Sequence, residues 1–349
     1  MLNMNNSSIN VNVTSSNISE EDEKGLDGYQ YSLFVANIVI CLLNLTGNIC
    51  VLVLICQRRL LGRTTNVFVF SLAMSDAICC VAAIPYNAML ALERDMSVYL
   101  CKGYFYALCI SRTAVSYTVI LLTTEKILNI LHPSRFITAG RCMFFISLVW
   151  FFSVAYNVWT VVFYTIYDYD KITYIEYMMD SSKILYGKKC FFSHRFKALR
   201  GIFLTIDFVM LFILPCAIIA IEFCVILRKQ HGTIKQRFET YYYIMRFIFF
   251  IFLVYIICHL PFEIGTLVKG GTRDPNEISG IFYEMSLTLY YTRGVLYLIV
   301  YMYFKQYVCR RSRRLNASNS GHQINRIYLE LPVRGQCRGL SLNELRLMK

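Results

Sequence analysis

The sequence predicts an all-α membrane protein built as a bundle of seven transmembrane helices. Of its 349 residues, 56% are hydrophobic, and the mean hydropathy is +0.48, which is too apolar for an ordinary soluble domain. A bilayer core about 30 Å thick needs roughly 20 mostly apolar residues per helix. Segments of that kind are predicted at 32–56, 66–91, 100–131, 142–165, 201–227, 243–269 and 279–304, called spans one to seven below.

Charged residues are sorted along the chain in a way that orients it in the membrane. The acidic run Glu20–Glu23 precedes span one, whereas basic residues cluster after spans one, five and seven, within 58–63, 228–237 and 310–314. Basic residues beside a span mark the cytoplasmic side. We therefore expect a multi-pass protein of the plasma membrane with its N-terminus outside and its C-terminus inside. This sorting, and not nucleic-acid binding, accounts for the net charge of +13.

The segment before span one has the features of an extracellular terminus. Residues 1–31 are polar and are expected to be disordered, so span one is predicted to act as the signal anchor. The glycosylation sequons in this segment are Asn5, Asn6, Asn12 and Asn17. Cys101 and Cys190 are the cysteines predicted on the outer face. Because that face is oxidising, a disulfide between them is expected.

Short motifs occur once per span, in a fixed order. They are Gly47-Asn48, Leu72-Ala73-Met74-Ser75-Asp76, Cys101 with Lys126, Trp150, Pro215, Cys258-His259-Leu260-Pro261-Phe262, and Tyr301 followed by Tyr307. In this order they make residues 30–314 resemble the rhodopsin-like (class A) G-protein-coupled receptors, and the chain is most similar to their peptide-binding branch. The resemblance implies a receptor that binds an extracellular ligand, foremost a neuropeptide, and signals to heterotrimeric G proteins.

The region after span seven also follows the family pattern. Residues 305–314 are basic with an apolar side, which predicts a short cytoplasmic amphipathic helix on anionic lipid. Cys309 in this helix is a candidate palmitoylation site. The tail at 315–349 lacks apolar periodicity and is expected to be disordered.

Several positions at which the resemblance places the activation machinery carry unusual residues. Glu125-Lys126-Ile127 stands where the family has Asp-Arg-Tyr, and Tyr297-Leu298-Ile299-Val300-Tyr301 where it has Asn-Pro-x-x-Tyr. Span six is expected to move about Pro261, because proline interrupts the helical ladder. The predicted activation-switch residues are Asp76, Glu125, Lys126, Phe223, Tyr255, Pro261, Arg293, Tyr297 and Tyr301.

The resemblance also defines a ligand cavity and excludes some ligands. Leu108 stands where amine receptors carry an aspartate, and Tyr291 where light receptors carry the retinal lysine, so amines and retinal are not expected. The candidate ligand-binding residues are Leu108, Arg112, Asp207, His259, Glu263, Glu284 and Tyr291.

Ionisable residues at membrane depth are costly and face the bundle interior. Arg112 lies about 16 Å below Cys101 at the helical rise, so we expect it to pair with Glu263 or Asp207 when the cavity is empty. The alternative is a permanent structural ion pair. Asp76 and Arg293 also lie at matching depths. The family binds a sodium ion near the first of these positions, and we expect Arg293 to replace that ion.

The long loop at 166–200 predicts a hairpin lid over the bundle. Tyr167, Tyr169, Tyr174 and Tyr177 recur among aliphatic and polar residues, and such alternation favours paired strands. A hairpin leaves the cavity open, as in the peptide-binding branch, whereas a simple stabilising cap is the alternative.

Other functions compete with the peptide receptor. A small-molecule or lipid receptor of the same fold could hold a carboxylate on Arg112. Because the switch residues are altered, a non-signalling scaffold or decoy is a further alternative. A channel or transporter is disfavoured because no internal repeat is evident. No phosphate-binding glycine loop, zinc motif or nucleophile elbow occurs, so neither an enzyme nor a cofactor or metal is expected. The predicted partners are an extracellular peptide, a heterotrimeric G protein and the lipid bilayer.

Overall fold

The predicted helical bundle is confirmed by the computed structural model, which describes residues 20–131, 137–168, 188–230, 238–271 and 277–317. The helices are Glu20–Gln57, Thr64–Ala91, Val98–Leu131, Ala139–Tyr156 followed by Trp159–Phe163, Lys197–Phe208 and Leu214–Gln230 joined by a π-helical turn at Val209–Ile213, Phe238–Gly271, and Glu277–Ala317. Among the described helices, six are long and apolar enough to cross a membrane. The seventh, Glu277–Ala317, has Arg293 and several tyrosines in its apolar part.

The first helix is longer than the sequence pattern predicts. It begins at Glu20, so residues 20–31, expected to belong to a disordered segment, are helical. The four sequons lie outside the described residues, and their glycosylation stays a prediction.

The segment predicted as an amphipathic helix at 305–314 is helical, and it continues span seven without a break. Span seven and the basic segment form one uninterrupted helix, Glu277–Ala317, which also includes the first three residues of the predicted tail. The physical reason is local: neither glycine nor proline occurs from Val295 to Ala317, so nothing in the sequence ends the helix. Palmitoylation of Cys309, which lies in this helix, stays a prediction.

The predicted hairpin is present at one end of the bundle, called the hairpin end below. Strands β1 (Tyr164–Asp168) and β2 (Lys188–Phe192) pair antiparallel, with Ile166 opposite Cys190. The predicted Cys101–Cys190 disulfide is also present, with a Cα–Cα distance of 5.6 Å. It attaches β2 to the start of span three. Tyr169, Tyr174 and Tyr177 lie outside the described residues.

Removing this disulfide should destabilise the protein. We expect the Cys101→Ser/Cys190→Ser double variant to lose about 2–5 kcal/mol of unfolding free energy, because the bridge constrains a long loop of the unfolded chain. Thermal unfolding of the purified protein in detergent would measure the loss. Cys50→Ser is the matched control, since Cys50 is free and exposed on the bundle exterior. Equal unfolding temperatures for the double variant and the control would contradict the expectation.

Span three is the centre of the bundle. In its apolar window 67% of residues are buried, against 22% in spans one and four. The main core cluster joins residues of spans two to seven, including Leu72, Val119, Phe212, Ile251 and Tyr297. Polar side chains on span three therefore face other helices, which is how the bundle brings the charged residues together.

Candidate functional site

An ionic cluster of Arg112, Asp207 and Glu263 joins spans three, five and six. Arg112 donates from Nη1 to Glu263 Oε2 at 3.3 Å and from Nη2 to Asp207 Oδ2. Tyr156 of span four donates to Asp207 Oδ1 at 2.8 Å. The three charged residues are 3%, 1% and 1% exposed. The sequence predicted one partner or the other for Arg112, and the structure shows both at once.

The ionic cluster is incompletely bonded. Among the residues that the structure describes, Glu263 Oε1 and Arg112 Nε have no hydrogen-bond partner. Buried polar atoms are bonded in the large majority of cases, so an unbonded carboxylate oxygen is an exception that needs a reason. The cluster can accept one further donor without breaking an existing bond.

Aromatic side chains line the helices between the ionic cluster and the hairpin end. Tyr104 and Tyr291 share a hydrogen bond of 2.7 Å between their hydroxyls, and Tyr86 stacks on Tyr104 at 3.8 Å. Phe105 stacks on Tyr164 of β1 at 3.7 Å. These five aromatic residues are called the aromatic wall below. The predicted ligand residues Leu108 and Tyr291 lie in one apolar cluster with Tyr104.

Two predicted ligand residues stand apart from the ionic cluster. Glu284 pairs with Lys269 at 3.6 Å, and the Lys269 ammonium lies 4.0 Å from the centre of the Tyr283 ring. His259 is fully buried and stacks on Tyr255 with ring centres 4.3 Å apart. Within the described part of the chain, neither ring nitrogen of His259 has a hydrogen-bond partner.

A second buried ion pair joins Asp76 of span two to Arg293 of span seven, the pairing expected from their depths. Arg293 Nε donates to Asp76 Oδ1 at 2.9 Å, and Nη2 donates to Ser111 Oγ at 2.6 Å. The guanidinium also lies over the Tyr290 ring, 4.0 Å from its centre. A protein cation therefore occupies the neighbourhood of Asp76.

Gly294 allows this close approach of the spans. A Cβ at this position would lie 2.7 Å from Asp76 Oδ2, closer than side chains tolerate. Next to the pair is a cavity with room for about one water molecule. It is lined by Asn48, Asp76, Tyr297 and Tyr301, together with apolar residues of spans two, three, six and seven.

Below the ionic cluster, the backbone carbonyl of Leu211 in span five accepts hydrogen bonds from side chains of spans three and six. Pro215 has no N–H, so it cannot donate to the carbonyl of Leu211 four residues earlier, and the helix widens into the π-helical turn Val209–Ile213. The Leu211 carbonyl instead accepts from Ser116 Oγ at 3.0 Å and from the Tyr255 hydroxyl. The Tyr255 hydroxyl also lies 3.1 Å from Ser116 Oγ. We call these three residues the carbonyl bridge.

Removing the Tyr255 hydroxyl should weaken the carbonyl bridge. We expect Tyr255→Phe to lose about 0.5–1.5 kcal/mol of unfolding free energy, since Ser116 still serves the Leu211 carbonyl, and Tyr255→Phe/Ser116→Ala to lose more. Thermal unfolding in detergent is the measurement. Tyr297→Phe is the matched control, because the Tyr297 hydroxyl has no partner among the described residues. A larger loss in the control would overturn this role for Tyr255.

The far end of span three carries the altered charged motif. Glu125 accepts from Thr64 at 2.8 Å and from Asn129 at 2.6 Å, and it pairs with Lys126 at 2.9 Å. Lys126 also donates to Thr65 at 2.5 Å. The motif thus holds spans two and three together through a local network.

Glu222 is a half-buried acid that the sequence reading did not select. It lies in span five and accepts from Thr123 at 2.8 Å and from Thr124, both on span three. The signal was available, since a lone carboxylate in an apolar run such as 214–227 is costly and marks an interior position. It fastens spans three and five near the altered motif.

The remaining switch residues have structural partners of their own. The Tyr301 hydroxyl donates to Asn66 at 3.0 Å, which connects spans seven and two. Phe223 packs beside a small cluster that includes Ile127. Pro261 lies inside the continuous helix Phe238–Gly271. Their roles in activation stay predictions.

Comparison with known proteins identifies the family of this chain. The model of the 7 transmembrane receptor (rhodopsin family) matches residues 47–310. The chain therefore belongs to this receptor family and is an integral multi-pass membrane protein. The neuromedin U receptor homolog nmur-2 of Caenorhabditis elegans is 23% identical over 298 residues, which cover 74% of this chain and 70% of that protein.

Two further relatives match over shorter stretches. The neuropeptide Y receptor type 1 of Xenopus laevis is 24% identical over 36% of this chain and 35% of its own length. The thyrotropin-releasing hormone receptor of Gallus gallus is 31% identical over 37% of this chain and 34% of its own length. For these two the similarity spans about a third of the relative.

Proposed function

We propose that this protein is a plasma-membrane receptor for an extracellular neuropeptide and that it signals to a heterotrimeric G protein. The family match across most of the bundle carries the proposal. Relatives named for neuropeptide Y and neuropeptide FF support the peptide class and do not favour the small-molecule or scaffold alternatives. The hairpin end would face outward, as the distribution of basic residues indicates.

The interior contacts suggest how binding would reach the opposite end of the bundle. The ionic cluster and, below it, the carbonyl bridge both join spans three, five and six. A ligand that binds Glu263 or Asp207 would change how spans five and six sit against span three. Binding the active arrangement more tightly would shift the population toward it. Glu125, Lys126 and Glu222 are the contacts that would rearrange at the G-protein end.

A screen for peptide-induced signalling tests this function. The receptor would be expressed in cells, exposed to pools of synthetic peptides, and assayed for dissociation of the G-protein subunits at a measured surface density. At least one pool should raise the signal above that of untransfected cells. A receptor that reaches the surface, shows no basal signal and answers no pool would contradict the proposal and favour a scaffold.

A further inference from the structure

We propose that the ligand presents a cation to Glu263, so that the receptor selects peptides with a basic side chain. This inference rests on the proposed peptide-receptor function and adds the chemical class of the ligand. It begins from the ionic cluster of Arg112, Asp207 and Glu263. Three features carry it: the charge of the cluster, the unbonded oxygen of Glu263, and the aromatic wall above.

The charge of the cluster is unbalanced in favour of the anions. One guanidinium faces two carboxylates, and the described residues supply no second cation in ionic contact with them. With all three groups ionised, the cluster carries a formal charge of −1 in the interior of a membrane protein. Unpaired charge is costly there, and a charge that arrives with the ligand can be paired.

The position of the unbonded atoms shows which carboxylate is available. Both oxygens of Asp207 are occupied, one by Arg112 and one by Tyr156. Glu263 uses Oε2 for Arg112 and keeps Oε1 without a partner among the described residues. A ligand donor can therefore bond to Glu263 while every hydrogen bond of the cluster stays in place.

An anionic ligand on Arg112 is disfavoured by the same geometry. The two terminal nitrogens of Arg112 already face carboxylates, and within the described residues its Nε alone lacks a partner. A ligand carboxylate would add a third anion around one cation and would repel Asp207 and Glu263. The charge balance thus separates the peptide proposal from a carboxylate-bearing small molecule.

A basic side chain also suits the path to the cluster. Glu263 lies about 9 Å below Lys269 at the helical rise, so the cation needs a long stem. Arginine and lysine have apolar stems that pack on aromatic rings while the charged head goes further. The aromatic wall supplies such rings in Tyr104, Tyr291 and Tyr164, and the ligand would part them to reach the cluster, because Tyr104 and Tyr291 are buried.

Peptide pools with one fixed residue test the inference through signalling. Amidated pentapeptides would carry arginine, its neutral isostere citrulline, or glutamate at one position. Arginine pools should be at least about tenfold more potent than citrulline pools, and Glu263→Gln should remove the difference. Glu93→Gln is the matched control, because that carboxylate is exposed in the turn after span two and lies outside the cluster. Equal potency of citrulline or glutamate pools on the unaltered receptor would overturn the inference.

A binding assay keeps this test separate from the proposed function. Purified receptor would be heated with argininamide or citrullinamide as the probe. Argininamide should raise the unfolding temperature, citrullinamide should not, and Glu263→Gln should abolish the shift. If no peptide pool signals but this pattern appears, peptide signalling fails and the cation site stands. If both probes stabilise equally, or neither does, the cation site is wrong whatever the pools show.

Discussion

Replacing Arg112 with methionine is expected to lower the unfolding free energy by about 3–5 kcal/mol, among the largest effects of any single substitution in this protein. Methionine fills much of the space of arginine but leaves Asp207 and Glu263 without their shared cation, and both are buried. Thermal unfolding of the purified protein and its level at the cell surface would measure the effect.

The cause of that loss can be isolated with matched variants. Arg112→Met/Asp207→Asn/Glu263→Gln removes all three charges and keeps the side-chain shapes, so it should recover most of the stability. Arg112→Lys keeps the charge but cannot bond both carboxylates with a planar fork, and should fall between the two. A triple variant as unstable as Arg112→Met would mean that packing, and not unpaired charge, accounts for the loss.

The second large expected effect concerns sodium: the stability of the unaltered receptor should not depend on it. Arg293 already supplies a cation to Asp76, so exchanging sodium chloride for choline chloride at equal ionic strength should leave the unfolding temperature unchanged. Arg293→Asn should lose about 3–5 kcal/mol, because Asp76 then stays buried without a counter-charge. That variant should also regain part of its stability in sodium, which can enter the vacated space.

The double variant Asp76→Asn/Arg293→Asn is the control for this expectation. It has no buried carboxylate to attract an ion, so sodium and choline should give the same unfolding temperature. A strong sodium effect on the unaltered receptor would contradict the replacement of the ion by Arg293.

Depth in the membrane predicted which charged residues meet, but not how they bond. The heights of Arg112, Glu263, Asp76 and Arg293 follow from the helical rise, and both pairings appeared. Height does not give the rotation of a helix about its axis, so it could not show that Arg112 bonds two acids or that Tyr156 serves Asp207.

The carbonyl bridge and the last helix illustrate two other limits of the sequence. Pro215 predicts that the Leu211 carbonyl lacks its helical donor. Which hydroxyls donate to that carbonyl depends on contacts between distant spans, and here they are those of Ser116 and Tyr255. The basic and apolar pattern of 305–314 predicted a helix there, but not that this helix would continue span seven without a break. From Val295 to Ala317 the sequence contains neither glycine nor proline, so no residue ends the helix in that stretch.

The most direct test of the central claim is to exchange the charges of the ionic cluster and measure the response to arginine pools. Arg112→Glu/Glu263→Arg retains one guanidinium and two carboxylates, so surface expression should recover relative to Arg112→Glu alone. If Glu263 contacts the ligand, G-protein dissociation should then be at least about tenfold less sensitive to arginine pools than in the unaltered receptor. Full sensitivity in the exchanged receptor would show that the cluster is a structural ion pair and that the ligand binds elsewhere.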